Sequence, residues 1–373
     1  MKVIFTCGGT AGHVNPALAL AGLMKRRMPD TEILFVGANR GMERRLVEQA
    51  GYPFRSVEIS GFHRSLSPKE VVYNLQSLHH YFTAPHEAKK LLDDFCPDLV
   101  VGTGGYASYP MIRSAAARGI PTAVHESNAI PGLTTKLLEP YASVIMVGFE
   151  DCRKNYHHPE KVKVTGTPIR GEFFTMDRPE AKRRLGLDDG KPLVLSFWGS
   201  LGAREMNIQM ADFITEELKN CRFHHIHGAG TYGIPRINRI LGERNIDLGR
   251  QILVEVREYI YDMPTVMRAA DVVLCRAGAS TISELTALGA AAIIVPSPNV
   301  ANNHQEKNAR VLSDHGAAEL ILEAESSGQR LLDETRKILG DENLRLGMEQ
   351  KMAALGVPDA NQRIYETVMG LLR

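Results

Sequence analysis

Several features that would narrow a reading are scarce in this 373-residue chain. It has one tryptophan, and its five cysteines (Cys7, Cys96, Cys152, Cys221 and Cys275) form no Cys-x-x-Cys pair. That excludes a disulfide framework and a paired-thiol metal knuckle, and reads as reduced thiols of a cytoplasmic protein. Charge of one sign is missing too: 44 basic residues stand against 43 acidic ones. No overall field calls for nucleic acid. No apolar run approaches the roughly 18 residues of a spanning helix. The apolar start before Cys7 is too short for a secretory leader. Asp-x-Asp does not occur. Enzymes that hold a diphosphate through a divalent ion usually need such paired carboxylates.

What the chain has is alternation. Short β-rich runs separate helix-length segments from end to end, which implies parallel sheets covered by helices. The expected strands are Val3–Phe5, Glu32–Val36, Phe54–Ile59, Leu99–Val101, Thr122–His125 and Val144–Val147, then Leu193–Phe197, His224–His227, Ile252–Val256, Val272–Leu274, Ala291–Val295 and Ala318–Ile321. Helices are expected at Pro16–Met28, Met42–Ala50 and Glu205–Lys219. The length suits two domains. Thr165–Pro179, with two prolines and two glycines, reads as the hinge. The predicted division is 1–165, 166–356, and a last helix in 357–373 that packs back toward the first domain.

Two glycine-rich loops, Cys7–His13 and Trp198–Arg204, each follow an apolar run and open a helix. A strand, a glycine turn and a helix N-terminus make an anion site. The first loop has no lysine and is not a P-loop. Its plain alternative is a tight turn. His13, expected in the first helical turn, is a candidate proton acceptor; a structural histidine is the plain alternative. His125-Glu126-Ser127-Asn128-Ala129 begins like a zinc motif, but position 129 is alanine and the metal reading fails. The choice left is a polar turn or a set of sugar contacts.

Arg276–Glu284 follows another strand. Ser280 and Thr281 are candidate caps there, and Glu284 is a candidate for vicinal ribose hydroxyls; a capping box with Ser283 and Glu284 competes. Gly228–Gly233 matches G-x-G-x-x-G, a weak signal for a dinucleotide when alone. His224-His225-Ile226-His227 has no evident cysteine or carboxylate partner and reads as a core or cleft strand. Without paired carboxylates, helix dipoles and arginine are left to neutralise a diphosphate, with Arg170 the leading candidate. In Ser67–Phe82, the residues Val71, Leu75, Leu78 and Phe82 share one helical face. That face suits either packing on a sheet or docking on anionic lipid, with Arg64, Lys69 and His79 nearby.

Taken together, Gly8–His13, Gly104-Gly105-Tyr106, His125–Gly132, Gly166–Arg170, Gly199–Ala203, Cys275–Glu284 and Asn302–Gln305 resemble the MurG family of bacterial glycosyltransferases. The resemblance runs through nearly the whole chain. It implies the α/β GT-B fold: two Rossmann-like, doubly wound domains facing a cleft, the acceptor domain first and the UDP-sugar domain second. It implies inverting transfer of N-acetylglucosamine from UDP-N-acetylglucosamine to the C4 hydroxyl of undecaprenyl-diphospho-muramoyl-pentapeptide, turning lipid I into lipid II. The setting implied is the cytoplasmic face of the bacterial membrane, as a peripheral protein without a cofactor or metal, beside other cell-wall synthesis proteins.

Carried over by residue, Thr10, Ala11 and Gly12 lie against the sugar nucleotide, and Asn128 and Gln305 bond the sugar. Arg170 and Ser200 meet the diphosphate. Ile260 offers its backbone to uracil, Ala279, Ser280, Thr281, Ile282 and Ser283 line the helix start, and Glu284 holds the ribose. His13 is the first choice of base and Glu126 the second. Three positions depart from the family pattern: Ala11 for a frequent glycine, Ser127 for a frequent glutamine, and His304 for the first of a frequent Gln-Gln pair. Rival readings are another GT-B transferase, a non-catalytic nucleotide-sugar sensor, and a dehydrogenase using Gly228–Gly233.

Overall fold

A computed structural model describes residues 1–9, 11–39, 43–59, 83–199, 202–300 and 303–372. The chain divides into two compact units, Met1–Ile169 with Val357–Arg373, and Arg170–Gly356. Each is built on its own parallel sheet.

The first sheet has seven strands: β1 (Lys2–Thr6), β2 (Glu32–Ala38), β3 (Phe54–Val57), β4 (Leu99–Gly102), β5 (Thr122–Glu126), β6 (Val144–Val147) and β7 (Val162–Val164). They lie in the order β3-β2-β1-β4-β5-β6-β7, all parallel. Helices cover both faces, so the strands are apolar along their whole length, as in Leu99-Val100-Val101. The core gathers Phe5, Phe35, Val101 and Met146. Ile364 and Val368, from the helix Ala360–Met369 at the far end of the chain, are fully buried in that same core.

The second sheet has six strands: β8 (Leu193–Phe197), β9 (His224–Gly228), β10 (Val254–Arg257), β11 (Val272–Cys275), β12 (Ala292–Ile294) and β13 (Ala318–Leu320). Their order is β10-β9-β8-β11-β12-β13, again all parallel. Val194, Phe213, Leu274, Ile293 and Leu331 fill its core.

Both sheets reverse their winding once, between β1 and β4 and between β8 and β11. At such a point two neighbouring loops diverge to opposite faces and leave a crevice beyond the carboxyl ends of the strands. The loops concerned follow β1, β4, β8 and β11.

Some elements differ from the sequence expectation. β7 was not foreseen; it has three residues, one of them Lys163, and sits at a sheet edge. The first helix runs Ala11–Arg27 with Pro16 inside it, not at its start. β10 begins two residues later than expected, because Ile252 is 93% exposed and outside the sheet.

Candidate functional site

In the first unit the chain leaves β1 at Cys7 and enters the helix Ala11–Arg27 within a few residues, which sets His13 in the opening turn. His13 Nδ1 lies 2.8 Å from the Gly8 carbonyl oxygen. A carbonyl only accepts, so Nδ1 carries the hydrogen, and in the neutral tautomer the lone pair is at Nε2. The ring rests on the loop after β4. A Cβ at Gly104 would stand 2.6 Å from His13 Cδ2, and the φ of +106° there is one that side chains rarely adopt. Thr103 Oγ1 donates to the His13 carbonyl at 2.6 Å, tying the two loops together. Ser108 Oγ is in contact with both the Thr6 carbonyl (3.0 Å) and the Gly104 carbonyl (2.9 Å). Beneath the first loop, Glu43 is fully buried and accepts from Ala38 N at 3.0 Å. Gly12 is half-buried. Thr10 lies outside the described residues, as does the Ala11 side chain.

Glu126 ends β5 and is 5% exposed. Its Oε1 accepts from the backbone and side-chain nitrogens of Asn128 at 3.0 and 2.9 Å. Its Oε2 accepts from Gly132 N at 3.0 Å and Thr135 Oγ1 at 2.7 Å. Four donors occupy the two oxygens. This carboxylate braces the loop 127–132 and holds Asn128 in place; the arrangement does not suit a base that must collect a proton. His125 is buried, which pushes its basicity down; it donates from Nε2 to the Gly166 carbonyl at 3.0 Å, leaving Nδ1 to accept from Ser127 Oγ at 3.3 Å. Ser127 therefore has a local task that the sequence did not show.

In the second unit the helix Ala279–Leu288 begins beyond β11. Ser280 and Thr281 do not cap it: the N-cap is Gly278, and among the described residues no side chain takes the capping bond. Ser283 instead turns back to the Ala279 carbonyl at 2.9 Å. The first-turn amides thus have no side-chain cap among the described residues, and the helix dipole there favours negative charge. Ile282 is buried beneath this turn. Glu284, one turn along, has its carboxyl pushed up to about 7 by burial, with the Arg170 charge acting in the opposite sense. Arg170, the first residue of this unit, is exposed and lies over the Phe173 ring.

Gln305 Oε1 accepts from Ser297 N at 2.9 Å, in the loop beyond β12. Ile260 is 4% exposed, and its side chain packs over Gly228. Ser200 and the face Val71, Leu75, Leu78 and Phe82 lie outside the described residues. The helix Ile234–Glu243 follows Gly228–Gly233 directly, with Pro235 in its first turn. Among the described residues no group of three or more His, Cys, Asp or Glu is placed to hold a metal.

Two parallel, doubly wound units are the architecture of the GT-B class of nucleotide-sugar enzymes. Residues 3–147 match the model of the glycosyltransferase family 28 N-terminal domain, and residues 193–364 that of its C-terminal domain. The chain belongs to the MurG family within that group. It is 40% identical over 373 residues to a protein of Acetivibrio thermocellus named UDP-N-acetylglucosamine--N-acetylmuramyl-(pentapeptide) pyrophosphoryl-undecaprenol N-acetylglucosamine transferase, covering 100% of this chain and 99% of that one. A Listeria monocytogenes protein of the same name is 40% identical over 373 residues, with 100% of both chains covered.

Among solved structures, Acinetobacter baumannii MurG superimposes with a TM-score of 0.79 at 25% identity, covering 99% of each chain. The calicheamicin glycosyltransferase CalG4 gives 0.68 at 15% identity, over 100% of this chain and 98% of that one. A UDP-GlcNAc 2-epimerase from Neisseria meningitidis gives 0.65, also at 15%, over 99% of this chain and 100% of that one. The fold alone is therefore shared by transferases and epimerases.

Proposed function

We propose that this protein transfers N-acetylglucosamine, with inversion, from UDP-N-acetylglucosamine to the C4 hydroxyl of undecaprenyl-diphospho-N-acetylmuramoyl-pentapeptide, giving lipid II and UDP. The observation that carries the reading is full-length identity, through both units, with transferases of that name.

The acceptor oxygen attacks the anomeric carbon as the bond to UDP breaks. The electron pair leaves with the diphosphate, and the hydroxyl proton goes to a base. His13 takes that role, because the Gly8 carbonyl fixes the tautomer that presents a lone pair at Nε2. Glu126, with both oxygens occupied, serves as the brace of Asn128, which faces the sugar. Thr10, Ala11 and Gly12 contribute the loop in front of His13. In the second unit, Ala279, Ser280 and Thr281 offer first-turn amides to the diphosphate. Arg170 and Ser200 add to them, so that charge gained by the leaving group meets donors already in place. Glu284 accepts the ribose hydroxyls, Ile260 meets uracil through its backbone, and Gln305 meets the sugar.

We place the protein at the cytoplasmic face of the membrane, where its lipid-borne acceptor is found. Among the described residues no helix is long and apolar enough to cross a bilayer. Leu133 and Leu137, on one face of the helix Leu133–Leu138, are 66% and 44% exposed, with Lys136 beside them. Apolar side chains flanked by a cation suit an interfacial contact.

The test is incubation of the purified protein with labelled UDP-N-acetylglucosamine and a soluble lipid I analogue. A labelled disaccharide with one UDP released per transfer is expected. Recovery of a C2-epimerised nucleotide sugar, or no UDP release when acceptor is added, overturns the reading.

A further inference from the structure

The second unit holds an unbroken line of buried hydrogen bonds that the chemistry above does not use. Glu217 Oε2 lies 2.9 Å from His225 Nδ1, and His225 Nε2 lies 2.8 Å from Ser196 Oγ. Ser196 Oγ lies 2.7 Å from His227 Nδ1, and His227 Nε2 lies 3.1 Å from Asn207 Oδ1. Asn207 Nδ2 closes the line on the Ala229 carbonyl at 2.8 Å. All five side chains are buried, none more than 1% exposed. The carboxylate partner that the histidine run lacked in the sequence is thus Glu217, from the end of the helix Arg204–Glu217. His224, on the opposite face, pairs separately with Asp189.

Chemistry fixes the hydrogens along this line from the Ala229 carbonyl as far as His225 Nε2. The Ala229 carbonyl only accepts, so Asn207 presents its nitrogen there and its oxygen to His227. His227 donates from Nε2. Burial and the neighbouring His225 hold its pKa down to about 3, so it is neutral and Nδ1 accepts from the Ser196 hydroxyl. Ser196 then accepts from His225 Nε2–H, and one proton remains between His225 Nδ1 and Glu217. The ionisable groups facing the line are His227, His225 and Glu217, with Cys221 near Glu217; the Phe213 ring closes its side against His225.

The line ends where three donor-side segments meet. A Cβ at Gly202 or at Gly233 would overlap the Ala229 carbonyl oxygen. Gly202 N also donates to the Gly199 carbonyl at 3.0 Å. Ala229 N and Gly230 N donate to the carbonyls of Arg257 and Glu258, on the segment that leads to Ile260.

We propose that Asn207 is a positioning residue for the nucleotide. Through the Ala229 carbonyl it clamps Gly202, the Gly228–Gly233 turn and the run to Ile260 at fixed separation, so that groups aimed at the diphosphate and at uracil keep register. This rests on the donor assignment of the preceding section.

Asn207→Asp tests it. An ionised aspartate still accepts from His227 but turns a second acceptor toward Ala229. A protonated one restores the donor–acceptor pattern of the amide. At about pH 8 the KM for UDP-N-acetylglucosamine should rise about tenfold, the worth of one lost buried hydrogen bond. The kcat and the acceptor KM should stay within about twofold. Burial raises an aspartate's pKa, so the ratio of variant to parent KM should fall toward one as pH drops to about 6. Taking the ratio cancels the titration of Glu284.

A ratio near one at the higher pH overturns the proposal, as does a ratio that ignores pH or a joint fall of kcat and both affinities. Ser196→Ala, which breaks the line away from the ligand, should raise the donor KM about threefold. If the aspartate variant does not fold, an unchanged KM in Ser196→Ala overturns the proposal. Calorimetric UDP binding separates this from the assigned reaction: a parent that binds UDP but transfers nothing removes the reaction, while the clamp still stands or falls on the variants' affinity for UDP.

Discussion

One carbonyl sets the tautomer of His13, and the absence of one methyl group lets its ring lie where it does. Replacing His13 by alanine should lower kcat by about 10²-fold or more with donor affinity retained. Gly104→Ala should also lower kcat, because the added methyl meets the ring and the backbone there resists a side chain. Steady-state kinetics with both substrates varied checks the pair; a normal kcat in either removes the base assignment or its geometry.

Glu284 gives a pH dependence whose sign can be worked out. Its value in the folded protein, about 7, lies above the ordinary 4.5. Between those values the folded state binds the extra proton, so this group's contribution to stability is largest in acid and is lost as pH rises toward 7. With Glu284 assigned to the ribose as proposed, nucleotide binding runs the other way, since it is the ionised carboxylate that accepts the hydroxyls. UDP affinity should therefore improve as pH rises through about 7, and Glu284→Gln should flatten the slope. Titration calorimetry across that range is the check.

At the scale of the element, the helix Ala279–Leu288 sets its proposed binding role against its stability. Ser at position 278 would supply the missing cap and add a few tenths of a kcal/mol to the helix, and a φ of −64° there admits it. The same hydroxyl would occupy amides assigned to the diphosphate. Gly278→Ser should raise the melting temperature slightly and raise the donor KM several-fold. On the short helix Leu133–Leu138, paired Leu133→Ser and Leu137→Ser changes should weaken sedimentation with anionic vesicles, and Leu75→Ser with Phe82→Ser tests the other candidate face.

These elements also show what the sequence could reveal. Strands such as Leu99-Val100-Val101 and Val272-Val273-Leu274 were legible because a sheet covered on both faces needs unbroken apolar runs. Pro16 misled: proline favours a helix start, yet here the helix begins five residues earlier, at the glycine loop. Ser280 and Thr281 resembled caps because capping residues are recognised by type, whereas the turn that Gly278 makes is a matter of backbone. The partners of Glu126 come from Gly132 and Thr135, and those of His225 from Glu217 and Ser196. Pairings made through the fold leave no periodic signal along the chain.

At the scale of the molecule, the two units have separate cores, and their coupling to ligand should separate as well. Ile364→Ala removes a fully buried side chain from the first core. A cost of about 2–5 kcal/mol is expected for such a change. UDP affinity, which the proposed assignment gives to the second unit, should hold at temperatures where the protein stays folded. A UDP affinity lost in parallel with stability would contradict that independence. The same helix has a consequence for how the protein is made. Because Ile364 and Val368 complete a core begun by Val3 and Phe5, the portion synthesised first cannot finish folding until the helix Ala360–Met369 has been made. The inserted stretch Arg170–Gly356 is already whole by then, so the order of maturation runs opposite to the order of translation.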